Sequence, residues 1–177
     1  MSTASKPETI DAGQMDGVME VKIRGLMMDP VTNMPIVVLK DVKSDAVVPI
    51  WVGIFEANAI ALEIEKTTLP RPMTHDLLVN LVRAMDAVLR RVVITEMKDD
   101  TFYALLWMER AGALISMDAR PSDALALALR MDCPIYVADQ VVRAAKLTNA
   151  GIENFSPEDL RRWLENLNDE DLGRYKM

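Results

Sequence analysis

One order of elements, three strand-like stretches and then a helix, is readable twice in this chain, and that repetition limits the folds open to it. The first set lies near Val18–Met28, Met34–Val42 and Ala46–Val52, with Asp29-Pro30 and Lys43-Ser44-Asp45 as turn chemistry between them. Helical spacing follows from Ile54 to Lys66. The second set lies near Val88–Met97, Thr101–Arg110 and Ala113–Asp118, and leads into a helix beginning near Ser122. A further helix is predicted over Thr74–Met85, with Leu77, Leu78, Leu81, Val82 and Met85 on its buried side. A short buried strand at Pro134–Val137 and a helix near Gln140–Lys146 complete the pattern. Glu56-Ala57-Asn58-Ala59-Ile60-Ala61-Leu62 aligns with Asp123-Ala124-Leu125-Ala126-Leu127-Ala128-Leu129 at an offset of 67 residues, as an internal duplication would leave it. Short strand connections give antiparallel pairing. The expected class is therefore α+β, two meander-plus-helix halves forming a mostly antiparallel sheet with packed helices.

The stretch 102–108 adds a constraint on assembly. Phe102, Ala104, Leu106 and Met108 fall on one face of a strand, and Tyr103, Leu105 and Trp107 on the other. A strand with no polar side needs helices on both faces or a second subunit, and a homo-oligomer is expected.

A chain of 177 residues, half of them hydrophobic, can build one domain with a substantial core. Residues 1–17 read as a flexible leader, 18–148 as the domain, and 149–177 as an acidic helical tail. In that tail Ser156 is a predicted N-cap, and Leu160, Trp163, Leu164 and Leu167 form one stripe. No apolar run reaches membrane-spanning length and the leader lacks a signal-peptide core, so the expected compartment is the cytoplasm. The single cysteine, Cys133, sits in the apolar segment Cys133–Val137 and reads as core, not nucleophile. The net charge of −7 argues against generic nucleic-acid binding. Residues 18–152, however, hold fifteen basic and seventeen acidic residues, so the body of the chain is nearly neutral. Its one basic doublet, Arg90-Arg91, reads as solvent-facing on a strand edge.

Chemistry concentrates in two segments, Arg71-Pro72-Met73-Thr74-His75-Asp76 and Asp118-Ala119-Arg120-Pro121-Ser122-Asp123, each running into an apolar helix. Backbone N–H groups at a helix start attract anions, and each segment adds an arginine. The first holds the only histidine. The structural reading is that Thr74 and Ser122 are N-caps, that Asp76, Asp123 and Glu56 are first-turn acids, and that each arginine braces a carboxylate. The functional reading is a site for phosphodiester chemistry, with anion clamps, metal-binding carboxylates and a titratable imidazole.

The segment from about Val18 to Ala145 resembles the bifunctional nuclease domain, a family named for plant members reported to cut RNA and DNA. The resemblance rests on Pro49-Ile50-Trp51-Val52-Gly53 with Glu56-Ala57, on Arg71–Leu78, and on Asp118–Ala124 with Leu125–Ala128. It implies hydrolysis of phosphodiester bonds in RNA, DNA or both. In that reading His75 is general acid or base, and Asp118 and Asp123, with Glu56, hold a divalent cation such as Mg²⁺ or Mn²⁺. Arg71 and Arg120 clamp phosphate oxygens, with Arg120 also in the catalytic set, and Thr74 and Ser122 contact phosphate. Two alternatives stand beside it: a non-catalytic module binding a nucleotide or other anion, and a regulatory oligomer in which the arginines form structural pairs.

Overall fold

The computed structural model describes residues 17–29, 32–99 and 101–148. The leader up to residue 16 and the tail from residue 149, with its predicted capped helix, lie outside them. In chain order the elements are β1 Val18–Met28, β2 Pro35–Asp41, β3 Val47–Trp51, α1 Ile54–Ile64, α2 Thr74–Ala84, β4 Ala87–Lys98, β5 Thr101–Arg110, β6 Ala113–Ala119, α3 Pro121–Met131, β7 Ile135–Ala138 and α4 Asp139–Thr148. Every element predicted within this range is present.

One sheet holds all seven of these strands in the order β3-β2-β1-β7-β4-β5-β6. All neighbours are antiparallel except β4 and β7, which pair in parallel from Val92↔Ile135 to Ile94↔Val137. The fold is α+β. Each meander occupies one half of the sheet, and β7 lies between the halves because its Ile-Tyr-Val-Ala run is the one strand left to fill that gap. The β5–β6 hairpin turns through Ala111 and Gly112, both at positive φ (50° and 76°), the conformation that matches the right-handed twist of the flanking strands.

The core lies where α1 and α3 pack on each other and on the sheet. Val37, Leu39, Val48 and Ile50 from one half, and Val92, Ile94, Ala104 and Leu106 from the other, meet the alanine-rich faces of the two helices. Ala57, Ala61, Ala124 and Ala128 are at most 2% exposed. Small side chains let α1 and α3 approach closely, which brings their starts together.

Two expectations need correcting. The apolar stripe of α2 is not buried: α2 packs through His75 and Val79, while Leu77 is 62% and Leu81 54% exposed, and Leu78 and Met85 are also exposed. The stripe has the spacing of a core helix, but the α2 neighbours α3 and β4 take the opposite side. The Arg90-Arg91 doublet is only half solvent-facing: it lies on β4 just before the β7 ladder that begins at Val92. Arg90 is exposed and pairs with Glu109 at 2.8 Å, whereas Arg91 lies 4.9 Å above the Trp107 ring. That guanidinium covers the second apolar face of β5 at Trp107 through a cation–π contact.

Candidate functional site

Three helices place their first turns around one polar network. In α3, Pro121 occupies the first position, where its missing N–H costs nothing and its fixed φ suits a helix, so Arg120 becomes the N-cap residue. Likewise α2 begins at Thr74 with Met73 as its N-cap, and α1 at Ile54 with Gly53. Thr74 and Ser122 are thus first-turn residues and do not cap; neither Met73 nor Arg120 makes a side-chain cap bond at these starts. The third residue of each helix is acidic: Glu56, Asp76 and Asp123. A carboxylate there is favoured by the helix dipole.

Arg120 links two of these acids. Its Nε donates to Asp123 Oδ2 at 2.6 Å and its Nη2 to Asp123 Oδ1 at 3.1 Å, while Nη1 reaches across to Glu56 Oε1 at 2.8 Å. Asp123 Oδ1 also meets His75 Nε2 at 2.9 Å. The residues of the two arginine-proline segments, separated by 48 positions in the chain, therefore meet through the His75–Asp123 contact. Burial acts to raise the Asp123 carboxyl, but the hydrogen bonds from Arg120 and His75 outweigh it and hold the group below its ordinary value of 3.8. An ionised Asp123 accepts the Nε2–H of His75, and the neutral tautomer with that proton has Nδ1 as its acceptor nitrogen. Arg120 keeps 65% of its side chain exposed, and two of its five N–H groups remain for a ligand.

Asp76 belongs to a second cluster. Its Oδ2 accepts the Met73 N–H at 2.8 Å and its Oδ1 the Arg130 Nε–H at 2.7 Å. Arg130, only 6% exposed, donates further to the carbonyls of Ala126 (3.1 Å) and Ala59 (3.0 Å), and so ties α1, α2 and α3 together. Burial opposes ionisation of Asp76, but the Arg130 and Met73 hydrogen bonds again hold its carboxyl low.

Arg130 lies outside both arginine-proline segments. Its signal was available: one cation at the end of an otherwise apolar Ala-Leu helix has to find an acceptor.

The structure gathers Glu56, His75, Arg120 and Asp123, with Ser122 buried beside them. Arg71 and Asp118 stand elsewhere. Arg71 lines a separate pocket of about 230 Å³ with Asp76 and Arg130. Asp118 pairs with Leu105 across the β5–β6 ladder, and cross-strand partners share a face. That face is opposite the one through which Ala104 and Leu106 join the core, so Asp118 and Asp123 are divided by the sheet.

Asp118, Asp123 and Glu56 are not gathered as one ligand set. Both Asp123 oxygens and one of Glu56 are taken by Arg120 and His75, and among the described residues no three His, Cys, Asp or Glu side chains form a metal-binding group. Burial first, and then Asp132, push the Cys133 thiol up to about 12, which favours the protonated form near neutral pH.

Beside the network opens a cleft of about 590 Å³, with Glu56, Arg120 and Ser122 at its polar end and Trp51, Met97 and Phe102 among its apolar walls. A seven-stranded sheet with packed helices and an arginine–carboxylate–imidazole network at three helix starts describes an α+β domain with one polar candidate site. The chain belongs to the bifunctional nuclease domain family, whose model matches residues 37–150. It is 41% identical over 128 residues to an uncharacterized protein of Mycobacterium tuberculosis, covering 72% of this chain and 76% of that protein. It is also 30% identical over 114 residues to Bifunctional nuclease 1 of Oryza sativa subsp. japonica and to Bifunctional nuclease of Oryza minuta. Each of these two matches covers 63% of this chain and 34% of the plant protein. Among the described residues no helix is long and apolar enough to cross a membrane.

Proposed function

We propose that this protein hydrolyses phosphodiester bonds in RNA or DNA at the Arg120–Asp123–His75 network. The observation that carries this reading is the 2.9 Å contact of His75 with Asp123, since a carboxylate that fixes the tautomer of an imidazole is the arrangement general-base catalysis uses. In this mechanism the two free N–H groups of Arg120 hold a non-bridging phosphate oxygen. His75 Nδ1 takes the proton of the attacking water or ribose hydroxyl, and Asp123 stabilises the imidazolium that results. The protonated His75 then returns a proton to the leaving oxygen. Ser122 and the N–H groups of the α3 first turn support the phosphate, and Glu56 holds Arg120 in place until the phosphate arrives.

Cleavage of fluorescent single-stranded RNA and DNA by purified protein tests this, with Mg²⁺, Mn²⁺ or EDTA added in parallel. Activity is expected to fall by about a hundredfold or more in His75→Ala and in Asp123→Ala at unchanged fold, the scale of a lost general base. Undiminished cleavage in both variants refutes the assignment.

The cytoplasm is the compartment proposed for this activity. A homo-oligomer is proposed as well, with the exposed α2 stripe of Leu77, Leu81 and Met85 as its contact surface.

A further inference from the structure

We infer that the apolar cleft beside Arg120 is a nucleobase subsite, so that the protein recognises a nucleotide by its base as well as by its phosphate; this deepens the proposed nuclease reading and rests on it. The cleft, about 590 Å³, has the size of a small-ligand site. Its two ends differ in chemistry. At one end are the Arg120 guanidinium, with two uncommitted N–H groups, and the first turn of α3. The apolar lining beyond includes Phe102 and Met97.

Phe102 lies on the core-facing side of β5 near the start of the strand and is only partly buried. Trp51 ends β3 at the rim of the cleft; its ring packs with Ile36 and Val38 on the face of the sheet away from the core, and its indole Nε1–H donates to Asp29 Oδ2 at 3.0 Å. The stacking surface inside the cleft is therefore the Phe102 ring, which offers apolar and π surface with no polar group to satisfy. Any of the four bases can stack on such surface, so the subsite favours a base over none without reading sequence. A nucleotide with its phosphate on Arg120 would place its base in this cleft.

The test compares adenosine 5′-monophosphate with ribose 5-phosphate by titration calorimetry on the full chain, in the preparation used for cleavage assays. The mononucleotide is expected to bind about tenfold tighter, within the range of one base–aromatic stack. Phe102→Leu, which keeps volume and apolarity, should remove most of that preference and leave ribose 5-phosphate binding within about twofold. Arg120→Gln should weaken both ligands. Equal affinities for the two ligands, or no binding of either, overturn the inference. So does a preference that survives Phe102→Leu. A base preference in a protein that cleaves neither RNA nor DNA leaves the subsite standing and removes hydrolysis instead.

Discussion

Arg120 governs the electrostatics of the site because it is shared. It neutralises Asp123 and Glu56 together, and a phosphate on its two remaining N–H groups competes with both for its charge. Glu56 is the weaker holder, with one hydrogen bond against the two that Asp123 accepts. Glu56→Gln should therefore tighten inorganic phosphate or mononucleotide binding roughly two- to fivefold, the scale of an exposed ion pair, as read by calorimetry. Weaker binding in that variant would show Glu56 positioning Arg120 more than competing for it. Asp123 also supplies a pH signature. Its folded carboxyl titrates below the ordinary 3.8, so its contribution to stability is complete above about pH 4 and disappears as pH falls through the folded value. The gap in melting temperature between the wild type and Asp123→Asn should be largest near neutrality and close in acid. A gap that widens on acidification contradicts this.

At the scale of elements, Arg130 acts as the rivet of the helical layer. Arg130→Ala leaves the carboxylate of Asp76 without its guanidinium and removes two bonds to helix carbonyls, at a cost of about 1–3 kcal/mol measurable by urea unfolding. The β5–β6 turn can be improved, because Ala111 bears a positive φ that its Cβ disfavours. Ala111→Asn should raise stability by roughly 0.5–1 kcal/mol, with no change in cleavage. The α2 stripe makes the opposite kind of prediction. Leu77→Glu with Leu81→Glu should cost the fold little, as both positions are exposed, but should convert an oligomer to monomer in sedimentation. Unchanged mass in that double variant would remove α2 as the contact surface.

For the whole molecule, the sequence determined the elements and their order. Turn residues such as Asp29-Pro30, alternating apolar strands and two alanine-rich helices are local signals, and local backbone preference with hydrophobic period fixes such features without reference to the rest of the chain. The arginine-proline segments were legible for the same reason: a proline and an acid at a helix start are local chemistry. Placement was decided by the tertiary structure. Cross-strand pairing put Asp118 on the face away from Asp123, although only five positions separate them, while the close approach of α1, α2 and α3 joined Glu56, His75 and Asp123 from distant positions. The α2 stripe and the Phe102 wall show the same limit, since hydrophobic spacing marks a face that can be buried and only the neighbours determine whether it is. Which polar groups share one site is a property of packing between elements, and no local preference encodes it.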